Sequence, residues 1–495
     1  MDQIKLKEIQ FGKTSSEGEQ SIDSGQFLLG VREELVSLEK LLKDKKFIVL
    51  GRKGSGKSYL KEYSYLDRKY DIFVDLLSFK DLEYEKFSRA NTGINLNNTH
   101  LWEFVFLCKF LKLALQTQKL NPRSSDFASK LWVHISSYLN PDTMMTTKII
   151  TEHSGEIKTS FFKNLFSSIL RDKVIIEKEK QTYAQMVLHI KQFLLEILQG
   201  SINEVNYVLF LDEVDENYRG TDVDKSSVAE VVKVARSLFE EFQRSGINFF
   251  PVVLLRNDIF EQIGDKLDVR KIKDDYLVEI NWYDEVTART GTEATHLRSF
   301  LEKRLKYSYE KKYGKLKKID YWEFQFKTSE DNGDQLFKYI ADRTLYRPRD
   351  FISLLLKIQS KYGESKSISR DMVEHCMREY SESLVEEFKF ELSIHFDRNV
   401  VDVIINKLCS LPPSPLEKEE VTFRFSSDDG ITDQDILSVL YGYGIIGIVD
   451  QNQKYYWKYR SKDIEFEDFD FSRCRILKHN ALSSYKRSKF KLLQR

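Results

Sequence analysis

Gly51-Arg52-Lys53-Gly54-Ser55-Gly56-Lys57-Ser58 has the spacing GxxxxGK[ST], a set of residue types suited to holding a chain of phosphates. Glycines let the backbone turn tightly around phosphate oxygens, because left-handed dihedrals and close approach both exclude a Cβ. Successive N–H groups and the N-terminus of a following helix then aim positive dipole at the anion. Lys57 is placed to reach the β- and γ-phosphates, and the Ser58 hydroxyl to ligate Mg²⁺. Such a loop requires an acidic partner at the end of a neighbouring buried strand. The run Val208-Leu209-Phe210-Leu211-Asp212-Glu213 supplies it, since four apolar residues bury a strand on both faces and deliver Asp212 to its carboxyl edge. Asp212 is expected in the Mg²⁺ shell and Glu213 beside the attacking water, with Asp215 and Glu216 crowding the same place. ATP and Mg²⁺ are the cofactors these residues imply.

Those side chains need strands to carry them. FIVL at 47–50 runs straight into the loop, a helical pattern begins at Tyr59, and further strand patterns cover 70–79, 206–211, 247–255 and 276–282. A helix between 226 and 243 completes an alternation that predicts an α/β fold, with a parallel sheet sandwiched by helices. Between 80 and 204 the pattern is helical and aromatic, strongest at 101–118 and 182–200, and is far longer than an ordinary crossover. It reads as a helical insertion, more suited to core and oligomer interface than to a second catalytic site. Beyond 290 helical periodicity takes over. LPPSPLEKEE at 411–420, with three of the seven prolines, marks a boundary. A helix, a glycine-bearing turn and two short strands around Asp450 to Gln453 then have the pattern of a winged helix. The expected organisation is a polar arm at 1–26, a P-loop ATPase core at 27–290 carrying the insertion, a helical lid at 291–395, a winged-helix domain at 396–470 and a basic tail at 471–495.

Composition narrows the class. The chain has 495 residues, 41% hydrophobic and 13% aromatic, enough for several packed cores. Lys+Arg and Asp+Glu are 77 each, so bulk charge points to neither nucleic acid nor membrane, and any binding patch must be local. Cys108, Cys376, Cys409 and Cys474 lack the spacing of a zinc site or disulfide framework, and the eight histidines are dispersed. The longest apolar run, 249–255, is far too short to span a bilayer, and MDQIKLKEIQFGKTSS lacks the apolar stretch of a signal peptide. The expectation is a soluble, cytoplasmic protein. The segment 471–495 carries eight Lys or Arg and no acid, just after the acidic DIEFEDFD at 463–470. It reads either as an arm tracking a phosphate backbone or as one strip of an acidic–basic pair.

Taken together, the phosphate loop, LDEVDE and LLRNDIF resemble the AAA+ and STAND groups of P-loop ATPases, in scattered motifs over residues 27–360. GVREEL at 30–35 resembles the box that packs near adenine in STAND and origin-recognition-type members, which implies an adenine contact from Arg32, although Val31 interrupts the usual Gly-Arg pair. Arg256 and Asn257 stand where such families keep a γ-phosphate sensor; the plainer reading is a helix-capping turn built by Asn257 and Asp258. Arg347 and Arg349, at the start of a lid helix, resemble the second-sensor arginine. Arg270 stands where AAA+ subunits often offer an arginine to a neighbour's site, and as a bare sequence feature reads as a solvated loop charge. The resemblance implies an ATP-hydrolysing switch that couples nucleotide state to oligomerisation or a protein partner, as in bacterial ATPases encoded near defence genes. The alternatives are a DNA-engaging AAA+ ATPase using the winged helix and basic tail, and a nucleotide-locked scaffold with negligible turnover.

Overall fold

The computed structural model of the chain describes residues 2–31, 36–66, 72–78, 98–116, 129, 156–158, 180–198, 205–215, 218–283, 295–314, 319–328, 332–425 and 433–485. The chain divides into two compact units. One comprises Val36–Lys53 and Lys57–Ile280, the other Met1–Leu35, Gly54–Gly56 and Asn281–Arg495.

The first unit is built on β1 (Ile48–Leu50), β2 (Ile72–Ser78), β5 (Asn206–Asp212), β6 (Asn248–Leu255) and β7 (Leu277–Glu279), with a separate antiparallel pair, β3 (Glu156–Lys158) and β4 (Lys180–Thr182). The five strands pair in the order β2-β5-β6-β1-β7, and every pairing is parallel. Val208 to Leu211 and Phe249 to Leu255 are buried, as continuous apolar runs must be when both faces of a parallel sheet are covered. Register follows from the pairing: Leu50 lies opposite Leu255 and Leu211 opposite Val253. Gly51 and Asp212 therefore leave the carboxyl edge of the sheet on either side of the β6 terminus, which carries Arg256. The helices Asn98–Gln116 and Asp222–Arg244 close over the sheet through Phe110, Phe242 and Phe249, with Phe110 and Phe249 stacked at 4.1 Å. Asp222–Arg244 starts with a reciprocal capping box between Thr221 and Asp224. Its Glu241 and Glu103 of Asn98–Gln116 share Lys191 of the helix Tyr183–Leu198 at 2.7 and 3.2 Å. Two helices of the expected insertion are thus present, and most of the remainder of 80–204 lies outside the described residues. The β3–β4 pair has no counterpart in the helical reading of this region; EIK and KQT are too short and polar to show an alternation.

The second unit corrects two expectations. Residues 1–26 do not form an arm: Ile4, Leu6, Ile9 and Phe11 are buried. The Leu6 and Lys7 N–H groups donate to the carbonyls of Ser365 and Gly363 at 2.7 and 2.9 Å, and the Gln359 amide donates to Leu6 O and Ile9 O at 2.6 and 2.7 Å. Arg304 donates to Glu19 at 2.6 Å with both side chains buried, and its guanidinium lies 3.6 Å from the centroid of the Phe300 ring. The Ser, Gly and Glu of this segment dominate its composition and hid the four apolar anchors. Arg32 lies outside the described residues.

The segment packs against the helices His296–Tyr313, Tyr321–Phe326 and Pro348–Tyr362, which with Gly333–Ala341 and Arg370–Leu392 enclose a core around Trp322, Phe337 and Phe351. Beyond them come Arg398–Ser410, Lys418–Phe425 and Asp433–Gly442, then the antiparallel sheet β10-β8-β9 of β8 (Ile446–Asp450), β9 (Tyr455–Tyr456) and β10 (Cys474–Lys478). The turn read at Asp450 to Gln453 is present, its Asp450 Oδ1 accepting the Asn452 and Lys454 N–H groups at 2.9 Å each. Residues 474–478, read as the beginning of a basic tail, are a strand instead. The buried Lys478 ammonium donates to Cys409 O and Leu411 O at 3.1 and 2.5 Å, satisfying carbonyls at the end of Arg398–Ser410. Residues 486–495 lie outside the described set. No helix among the described residues is long and apolar enough to cross a membrane.

Candidate functional site

The loop expected to bind phosphate leaves β1 at Gly51, whose N–H donates to Leu255 O at 3.2 Å, and ends where the helix Lys57–Leu66 begins. Gly54 and Gly56 take φ of 75° and 88°, left-handed conformations in which a side chain is strained. The hydroxyl of the buried Ser55, between them, has no hydrogen-bond partner among the described residues. Lys57 turns back under the loop and donates to Gly51 O and Arg52 O at 2.7 and 3.2 Å. Burial pushes its ammonium down to about 8, and the carboxylates of Asp215, Asp212 and Asp258 only partly offset that. An ammonium held this way gains from a multivalent anion at its tip.

Asp212 ends β5 and is buried; its Oδ1 accepts the Glu213 N–H at 2.9 Å. Its Oδ2 lies 3.3 Å from Lys61 Nζ, which in turn lies 3.2 Å from Glu62 Oε1. Glu213 has φ of 57°, an uncommon backbone state outside glycine, so the strand breaks sharply at the residue expected to handle water. Asp215 has its carboxyl raised by burial, against the pull of Lys57 and Arg256. Glu216 lies outside the described residues.

The arginines divide sharply. Arg256, at the end of β6, donates to both carboxylate oxygens of Asp258 at 3.0 and 2.5 Å and lies 3.7 Å from Asp215. The N-cap of the helix Asn257–Gln262 is Arg256, which makes no side-chain capping bond, and the Asn257 amide donates to Glu279 at the end of β7. Arg270 is exposed on the helix Val269–Tyr276. In the helix-rich unit Arg347 is buried and holds Asp350 bidentately at 2.6 and 3.0 Å, with Glu387 at 3.2 Å and Glu391 at 3.9 Å. Burial disfavours its charge, but these three acids hold it firmly protonated. Arg349 is different. A Cβ on Gly54 would lie 3.2 Å from the Cβ and Cδ of Arg349, so the arginine stem covers the loop apex. The Trp282 indole N–H donates to Ser55 O at 2.7 Å, and its ring meets Phe300 edge-on at 5.3 Å.

This donor set fits a magnesium nucleotide. Ser58 and Asp212 offer hard oxygens, and Mg²⁺ takes most of its remaining ligands from phosphate and water. No group of three or more His, Cys, Asp or Glu among the described residues could hold a metal ion by itself. Sequence reasoning missed Lys61 and Trp282 and gave Asp258 only a capping role. Lys61 was legible as a second lysine four positions after Lys57; Trp282 carried no signal, because its role arises from loop packing.

Residues 295–389 match a family described as the FunZ-associated C-terminal helical domain. The match covers the helices from His296–Tyr313 through most of Arg370–Leu392. The chain is also similar to an 80.3 kDa protein ascribed to transposon gamma-delta in Escherichia coli (strain K12), with 23% identity over 494 residues. That alignment takes in 92% of this chain but 63% of the relative, so the chain spans less than two thirds of the relative's length. No solved structure matches the chain.

Proposed function

We propose that the chain is a P-loop ATPase of the AAA+/STAND type, acting as a nucleotide-driven switch. One observation carries this reading: Lys57 sits in the common field of Asp212, Asp215, Arg256 and Asp258, all at the carboxyl ends of adjacent strands. Ligands of open parallel sheets bind at that edge. In this reading the amides of Gly51 to Ser58 and the Lys57 ammonium hold the triphosphate. Ser58 and Asp212 would hold Mg²⁺, which would supply charge neutralisation to the phosphates. Glu213 orients and deprotonates a water for in-line attack, and Arg256 leaves Asp258 to meet the charge on the transferred group. Arg349 is the remaining candidate for the second sensor, because Arg347 is committed to three acids.

The helices of 291–395 serve as a lid, and those of 396–470 together with the antiparallel sheet β10-β8-β9 as a winged helix. Output is oligomerisation or action on a protein partner. The relative's ascription to a mobile element makes DNA worth testing as an effector, but the charge distribution disfavours a direct grip. Residues 425–453, which include the helix Asp433–Gly442, carry no Lys or Arg. Arg475 pairs with Glu417 at 2.8 Å and Arg473 with Asp470 at 3.6 Å.

ATP turnover by the purified chain, with and without duplex DNA, tests the reading. Wild type should hydrolyse ATP, Glu213→Gln should bind ATP yet lose turnover, and DNA should leave the rate unchanged. Equal turnover in wild type and Glu213→Gln contradicts the assignment; DNA stimulation lost on removal of residues 486–495, which leaves β10 in place, would replace it with the DNA-engaging alternative.

A further inference from the structure

Lys61 is a cation that the loop motif does not require. It follows Lys57 by four positions on the helix Lys57–Leu66, which puts the two side chains on one helix face a turn apart. Lys57 donates to loop carbonyls. Lys61 instead lies 3.3 Å from Asp212 Oδ2 and 3.2 Å from Glu62 Oε1, with the three side chains 9%, 7% and 11% exposed. Removing an ammonium from water is costly unless a carboxylate compensates it, so this lysine is held in place by its acids. An ammonium at that distance uses the same oxygen lone pairs that a hard divalent cation would use.

We infer that Lys61 is a built-in counter-cation of Asp212, which a divalent metal must displace in order to bind. This rests on the reading of Asp212 as a metal ligand. In the metal-free protein Lys61 neutralises Asp212 and keeps its carboxylate ordered. A bare divalent ion then competes with a tethered positive charge and binds poorly. A triphosphate on the loop adds oxygens and negative charge beside Ser58, and the exchange then favours the metal. The consequence is an order of events: metal enters with nucleotide rather than ahead of it, so the site does not sit charged with free metal between cycles.

The test uses Mn²⁺ as the probe and the full chain, with free Mn²⁺ measured by electron paramagnetic resonance. Without nucleotide, Lys61→Gln should bind Mn²⁺ at least about tenfold more tightly than wild type, because a positive charge at contact distance from a ligand oxygen is gone. Lys61→Arg, which keeps the charge, should remain at the wild-type level. Saturating ATP should strengthen Mn²⁺ binding by wild type far more than by Lys61→Gln. Unchanged or weaker Mn²⁺ binding by Lys61→Gln, with a thermal transition showing it folded, overturns the inference. Should that variant fail to fold, wild type still decides: Mn²⁺ affinity equal with and without ATP overturns it. Asp212→Asn separates the two levels. If it abolishes Mn²⁺ binding while Lys61→Gln gains none, only the role of Lys61 is wrong; if it binds Mn²⁺ as wild type does, the metal-site reading has failed.

Discussion

Arg256 and Arg347 were both expected to sense nucleotide, and each is held by carboxylates, yet the two clusters differ in kind. Arg347 bridges Pro348–Tyr362 to Arg370–Leu392 through Asp350, Glu387 and Glu391, all within one helix-rich unit. Its partners come from two helices and saturate the guanidinium. Arg256 is held by Asp258, two residues along its own chain, and more distantly by Asp215. Its cluster also lies in the field of a half-buried lysine whose charge is disfavoured. The first is a staple between packed helices. The second is a loose arrangement of charge at a sheet edge, where an anion would change every pairing. Position in a motif did not distinguish them; the number and origin of their carboxylates does.

The largest expected effect separates the clusters on stability. Arg347→Met leaves three acids buried without their cation and should destabilise the fold by about 3–5 kcal/mol, read from denaturant unfolding. In the protein that remains folded, ATP affinity should hold near wild type; a selective loss of ATP binding would return Arg347 to the site. Arg256→Met should show the opposite profile. Turnover should fall roughly a hundredfold, as when one donor to a developing charge is removed. Its midpoint of unfolding should move less than that of Arg347→Met. Equal losses in both measurements would erase the distinction.

A smaller effect follows from Lys57. Its folded-state value of about 8 lies below the ordinary lysine value, so as pH rises the folded protein gives up this proton before the unfolded chain does. Its contribution to stability therefore increases between about 8 and the ordinary value. Bound triphosphate favours the charged form, so ATP affinity should be constant below about pH 8 and fall by up to about tenfold per unit above it. Calorimetric titration at several pH values checks this, and proton uptake on binding at pH 9 is the accompanying sign. Arg347, fully charged throughout, should add no pH dependence in that range. The smallest change is Trp282→Phe, which deletes the hydrogen bond to Ser55 O while keeping an aromatic ring against Phe300. It should cost about 0.5–1.5 kcal/mol of stability or ATP affinity.

Much of the sheet was legible because its strands are apolar on both faces and short: 47–50, 206–211 and 247–255 match β1, β5 and β6 within a residue or so. The glycine spacing of the loop was equally plain, since only positive φ explains Gly54 and Gly56 together. The N-terminal segment was misjudged because four buried apolar residues are outnumbered by polar ones whose partners lie some 290 to 360 positions away. The same long separations kept the arginine clusters out of reach. Nothing local to Arg347-Pro348-Arg349 reveals that Glu387 and Glu391 will face the first arginine and Gly54 the second. Asp258 was visible but read as a cap, since an acid after a strand end is ordinary helix-start chemistry.

The most direct test of the account is equilibrium binding of ATP in the presence of Mg²⁺ to wild type, Lys57→Ala and Asp212→Asn, each verified as folded. The account predicts saturable binding by wild type, a loss of roughly a hundredfold or more in Lys57→Ala where a charge-assisted phosphate contact is removed, and a weakened, Mg²⁺-insensitive affinity in Asp212→Asn. ATP binding to Lys57→Ala with wild-type affinity and unaltered Mg²⁺ dependence would contradict it.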